Sequence, residues 1–128
     1  MPMIILRRNG NGQTGPMDQP TVQTYLTNVL AQAGMLNRIA SLTQALNQAF
    51  DGNGLQTHPY VFNGAPVLHA SSGNYQRSVT LFYYENNNTL MLFAMGEHIQ
   101  GAPNVTRYRI TIYGQAGTAF AMNNIIAI

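Results

Sequence analysis

The sequence predicts an α+β fold: two N-terminal helices packed on a mainly antiparallel sheet of four to five strands, in one domain over residues 1–128. Three observations predict it. Apolar residues recur at helical spacing from Val22 to Phe50. Residues 77–84 alternate strictly, which is the period of a strand. The helical region precedes nearly all the strand-like segments, and helices grouped in that way cover one face of a sheet.

Met1 to Arg8 reads as a first strand, with Ile4, Ile5 and Leu6 apolar. Asn9 to Pro16 is a loop dense in turn residues; its glycines lack the Lys-Ser/Thr ending and the spacing of a phosphate-binding loop. Asp18 is a helix N-cap with Pro20 in the first turn. Val22, Tyr25, Leu26, Val29 and Leu30 form one apolar stripe, and Leu36, Ile39, Leu42, Leu46 and Phe50 a second. They predict helices over 19–33 and 35–50, or one helix bent at Gly34. Asp51-Gly52-Asn53-Gly54 ends the helical region.

His58 to Phe62 is a short strand or extended loop, Asn63-Gly64 a turn, and Ala65 to Ala70 a strand containing His69. Residues 71–74 turn the chain into a hairpin over 77–95. Its first strand sets Arg77, Val79, Leu81 and Tyr83 against Ser78, Thr80, Phe82 and Tyr84. Its turn is Glu85-Asn86-Asn87-Asn88, because asparagine tolerates left-handed backbone. Its second strand, Thr89 to Met95, is apolar on both faces, as a central strand covered on both sides must be. Leu81, Leu92 and Phe93 are expected in the core. With the turn near 86–87, paired residue numbers sum to about 173–174, which sets Arg77 across from residue 96 or 97. After a loop, 105–113 alternates as another strand, and 119–128 is a final apolar strand or short helix.

Hydrophobic residues make up 45% of the chain, enough to exclude disorder. No apolar run is long enough to span a bilayer, and Arg7 and Arg8 follow the first apolar run rather than preceding it, against the order of a signal peptide. The expected location is the cytoplasm, or a target cell reached without a classical signal. Cysteine is absent, which excludes disulfides, thiol catalysis and cysteine-ligated zinc. Charged residues are only 8% of the chain. All six cations are arginine and none is lysine; the guanidinium fork suits phosphate and stacks on bases. The missing lysine reads either as compositional drift or as selection, for instance in a toxin that must avoid ubiquitin tagging inside a eukaryotic host.

The run Leu68, Gly73, Tyr75, Arg77, strand 80–84, strand 90–95 and Gly96-Glu97-His98, after a strand and a helix pair, resembles the RelE/ParE-type ribonuclease toxins and the wider group of barnase-like and colicin-type nuclease domains. The resemblance covers residues 65–98 by motif and the rest by element order. It implies a small toxin or effector acting on RNA, with a cognate antitoxin or immunity protein as partner. Family members are usually rich in lysine, which this chain lacks.

Metal-free RNA cleavage needs a base for the 2′-hydroxyl proton, an acid for the leaving 5′-oxygen and a cation at the phosphate. His98 beside Glu97, at the end of a rigid strand, is the candidate acid–base pair, with His69 as a further candidate. Arg77 is the candidate phosphate clamp, joined by Arg107 and Arg109; Tyr84 and Tyr108 are candidates to stack on bases. The tyrosines equally suit packing, and the arginines the solvent face of the sheet. No histidine pair has metal-ligand spacing, so neither a metal nor a cofactor is expected. Ser71-Ser72-Gly73 lacks the context of a hydrolase nucleophile.

Two other readings stay open. One is a non-catalytic protein-binding module, such as an immunity, adaptor or effector protein, whose apolar segment 119–128 serves as an interface or homo-oligomer contact. The other is an ADP-ribosyltransferase-like toxin using Arg7, Ser78, Thr80 and Glu97. No membrane association is expected on any of them.

Overall fold

A computed structural model describes residues 3–6, 13–32, 34–62, 64–73, 77–96 and 125–126. In chain order the elements are β1 (Met3–Leu6), α1 (Gln19–Gln32), α2 (Ile39–Phe50), β2 (Leu55–Phe62), β3 (Ala65–Ser72), β4 (Val79–Asn86), β5 (Thr89–Gly96) and β6 (Ile125–Ile126). The fold is α+β, with five strands in the order β1-β5-β4-β3-β2 and the short β6 also pairing with β5. All pairings are antiparallel except β1 with β5.

The helical region is two helices rather than one bent helix. Asp18 opens α1 by accepting a hydrogen bond from the Thr21 amide at 2.9 Å. Hydrogen bonding to the ionised carboxylate, from the Thr21 side chain first and its amide second, lowers the Asp18 pKa from its ordinary value. α1 ends in a Schellman turn: Gly34, with φ +73°, sends its N–H to Ala31 O, and Met35 sends its N–H to Leu30 O. A 3₁₀ turn over Leu36–Arg38 then leads into α2, so the second helix starts four residues later than the apolar pattern predicts. α2 ends as α1 does, with Gly52 (φ +78°) bonding Ala49 O and Asn53 bonding Gln48 O.

The 77–95 hairpin is present, with its corner at Asn87 and Asn88, whose φ values are +51° and +62°. Two consecutive left-handed residues match the twist of the flanking strands. The observed register differs from the expected one. Asn86 pairs with Thr89, and Gly96 pairs with Thr80 rather than with Arg77. Part of the displacement is the turn, one residue later than expected. The rest is a bulge in β5, where Phe82 pairs with Ala94 but Tyr83 with Leu92. Arg77 precedes β4 and lies outside the strand.

β2 and β3 are longer than their sequence patterns indicate, beginning at Leu55 and ending at Ser72 respectively. β2 is irregular between Gln56 and Val61, around Pro59, which has no N–H for a ladder. The predicted strand 105–113 lies outside the described residues. So does most of 119–128, but its Ile125 and Ile126 pair with Gly96 and Met95 of the same chain.

The sheet separates two cores. On the helix side, Val22, Leu26, Leu30, Leu42, Leu46 and Ala49 pack on Ile4, Leu6, Ala70, Leu81, Tyr83, Leu90 and Leu92. On the other side a smaller cluster joins Val67, Phe82, Tyr84, Met91, Phe93 and Ala94. Leu81, Leu92 and Phe93 are buried as expected. Among the described residues, no helix is long and apolar enough to cross a membrane.

Candidate functional site

Antiparallel pairing brings one end of the sheet together: β3 finishes at Ser72, β4 starts at Val79 and β5 finishes at Gly96. Two cross-strand rows define that end. Ser71 pairs with Thr80 and Thr80 with Gly96; two residues inward, His69 pairs with Phe82 and Phe82 with Ala94. Directly paired residues share a face. His69 therefore lies on the face that carries Phe82, opposite the helices.

His69 is half-buried, its ring 6.4 Å from that of Phe82 at an interplanar angle of 43°. Two strand spacings separate β3 from β5, so His69 and Ala94 are on the order of 10 Å apart, with Gly96 two residues further along β5. The chain leaves β5 at Gly96 toward Glu97 and His98. Those two residues lie outside the described part, as do Arg107, Tyr108 and Arg109.

Arg77 stands exposed two residues before β4, at this same end of the sheet. The connection that positions it is tight. Gly73, at φ +82°, packs against Arg77 O and Ser41 Oγ, and a side chain at position 73 would overlap both. The Ser72 hydroxyl donates to Gln44 Oε1, and the Ser71 amide donates to Gln48 Oε1 at 3.1 Å, tying the strand end to α2.

Arg38 also belongs to this end and was not singled out from the sequence. It is 8% exposed, and its guanidinium donates to Ser78 O at 2.9 Å. A signal existed: Arg38 lies four residues before buried Leu42, on the stripe that continues through Ala45, Leu46 and Ala49. A cation in that register must turn its head toward polar main chain at the sheet end.

Tyr84 is 5% exposed, its ring 6.4 Å from that of Phe93 at 38°; that is a packing position. Thr80 is fully buried, and its hydroxyl has no hydrogen-bond partner among the described residues. No three histidine or acidic residues among those described converge as a metal site. On the helix side, a groove of about 590 Å³ runs between Met3, the start of α1 at Gln19 and Pro20, and Thr43 and Phe50 of α2. Comparison with known proteins finds no match to the chain among family models, curated proteins or solved structures.

Proposed function

We propose that the chain is a small toxin or effector that cleaves RNA without a metal. One observation supports this reading above the others. The helices occupy one face, and the strand end beside Thr80 gathers Arg77 and the exit of β5 toward Glu97 and His98, with His69 two rows inward. In this reading His98 or Glu97 takes the 2′-hydroxyl proton and the 2′-oxygen attacks phosphorus. The 5′-oxygen leaves with a proton from the other group, giving a 2′,3′-cyclic phosphate and a 5′-hydroxyl. Arg77, with Arg107 or Arg109, holds the charge that builds on the phosphate oxygens. His69 is the reserve acid–base group, and Tyr108 the remaining stacking candidate. Such a protein works in the cytoplasm, or in a target cell reached without a classical signal peptide, and has a cognate antitoxin or immunity protein.

The experiment is incubation of the purified chain with single-stranded RNA in excess chelator. Cyclic phosphate ends on RNA, and none from the matching 2′-deoxy strand, are expected. Intact RNA at high protein concentration sinks the reading.

A second reading is a non-catalytic protein-binding module. It draws support from the groove beside Met3, Pro20 and Phe50, a recess with apolar walls and the polar tips of Gln19 and Gln23.

A further inference from the structure

All six cations of the chain are arginine. Nothing among the described residues keeps lysine out of the fold. Solvent-facing helix positions accept lysine without any packing change, and lysine is a good helix former. Such positions are plentiful: Asn28, Ala31 and Gln32 on α1, and Ala40 and Gln44 on α2, are all exposed and uncharged. Charge is scarce on the surface but not absent from it, since Asp18, Asp51, Arg77 and Glu85 are exposed. What is missing is one functional group, the primary amine on a side chain.

That group has a chemistry which arginine lacks. In ubiquitin-type conjugation a lysine Nζ attacks the thioester carbonyl of the activated modifier. An isopeptide bond forms, and the carrier enzyme leaves as its thiol. A guanidinium stays protonated and does not attack, while lysine is the usual acceptor. We infer that the chain is kept free of lysine so that this conjugation finds no side-chain amine, and that it acts where conjugation operates, in the cytosol of a eukaryotic cell. The inference does not rest on RNA cleavage, since a protein-binding effector gains the same protection.

The test adds the purified full chain to a eukaryotic cytosolic extract with ATP and tagged ubiquitin. Beside it run the triple variant Asn28→Lys, Gln32→Lys, Ala40→Lys and a charge-matched control with arginine at the same positions. Thermal midpoints are measured first, so that any loss through unfolding is recognised. The expected result is that the wild type and the arginine control carry no ubiquitin chains and share one long lifetime. The lysine variant gains chains and is cleared several-fold faster, and a proteasome inhibitor restores its lifetime. Clearance of the lysine variant at the rate of the arginine control overturns the inference. So does a ubiquitin ladder on the wild type equal to that on the lysine variant.

Discussion

The phenol oxygen of Tyr83 is pressed against Gly54, the residue between the capping turn of α2 and the start of β2, so closely that a Cβ at position 54 would overlap it. The oxygen is buried and has no hydrogen-bond partner among the described residues. Burial, with the nearby Glu85 carboxylate adding to it, pushes the phenol up to about 12. Gly54→Ala is expected to cost about 1–3 kcal/mol in denaturant unfolding, the usual range for overpacking. Tyr83→Phe removes an oxygen that gains nothing from burial, and should be neutral or stabilising by about 1 kcal/mol. Combined, the two changes should cost less than their sum, since they act through one contact.

The same phenol sets an alkaline limit. Its pKa is raised on folding, so the neutral phenol carries no ionisation penalty below the unfolded value near 10, and stability falls as pH rises from there toward about 12, where the unfolded chain ionises more readily. Stability measured across that window should fall for the wild type, and this component of the fall should be missing in Tyr83→Phe. An equal decline in both proteins shows that Tyr83 ionises alike in the folded and unfolded chains.

Leu92 is fully buried, pairs with Tyr83 and packs in the core beneath the helices. Leu92→Ala should cost about 2–5 kcal/mol, and a loss under about 0.5 kcal/mol means that the strand is not central.

That hairpin shows what was legible in the sequence and what was not. Alternation through 79–84 marked β4, and the doubly apolar run marked β5 as a central strand. Register was hidden for two physical reasons. Asn86, Asn87 and Asn88 are identical, so composition does not say which two form the corner. The bulge puts Phe93 and Ala94 on one face together, but a strand that is apolar on both sides carries no mark of a parity change. The candidate site was legible to the same depth. Strand ends could be read, which set Arg77 near the exit of β5, but nothing in the pattern placed His69 relative to it. The buried Arg38 does not stand out in the sequence, because a lone arginine in a helical stripe looks the same whether its head is solvated or turned inward.

Asn87 and Asn88 both hold left-handed backbone. That conformation costs most side chains roughly 1–2 kcal/mol, and asparagine and glycine least. Asn88→Gly should therefore leave stability unchanged or slightly raised, whereas Asn88→Val should cost more than 1 kcal/mol, roughly, from the same strain. Equal unfolding midpoints for the two variants contradict this geometry.

The functional prediction separates Arg77 from His69 by their surroundings. Arg77 is exposed and outside the strand, so Arg77→Ala should change stability by no more than about 0.5 kcal/mol. If it clamps phosphate, cleavage should still fall by at least an order of magnitude, and Arg77→Lys should recover only part, because an ammonium cannot offer the bidentate fork. His69 is half-buried against Phe82, so His69→Ala disturbs packing as well as chemistry. His69→Gln keeps bulk and polarity while removing the imidazole, and is the cleaner variant. His98→Ala completes the set. Loss of an acid–base group typically costs about 10²–10⁴ in rate. A cleaving wild type in which His98→Ala is inactive and His69→Gln is nearly normal assigns the proton transfers to the end of β5. The opposite pattern moves them onto β3. Full activity in all of these variants removes the sheet end from the chemistry and leaves its side chains a role in packing and solvation.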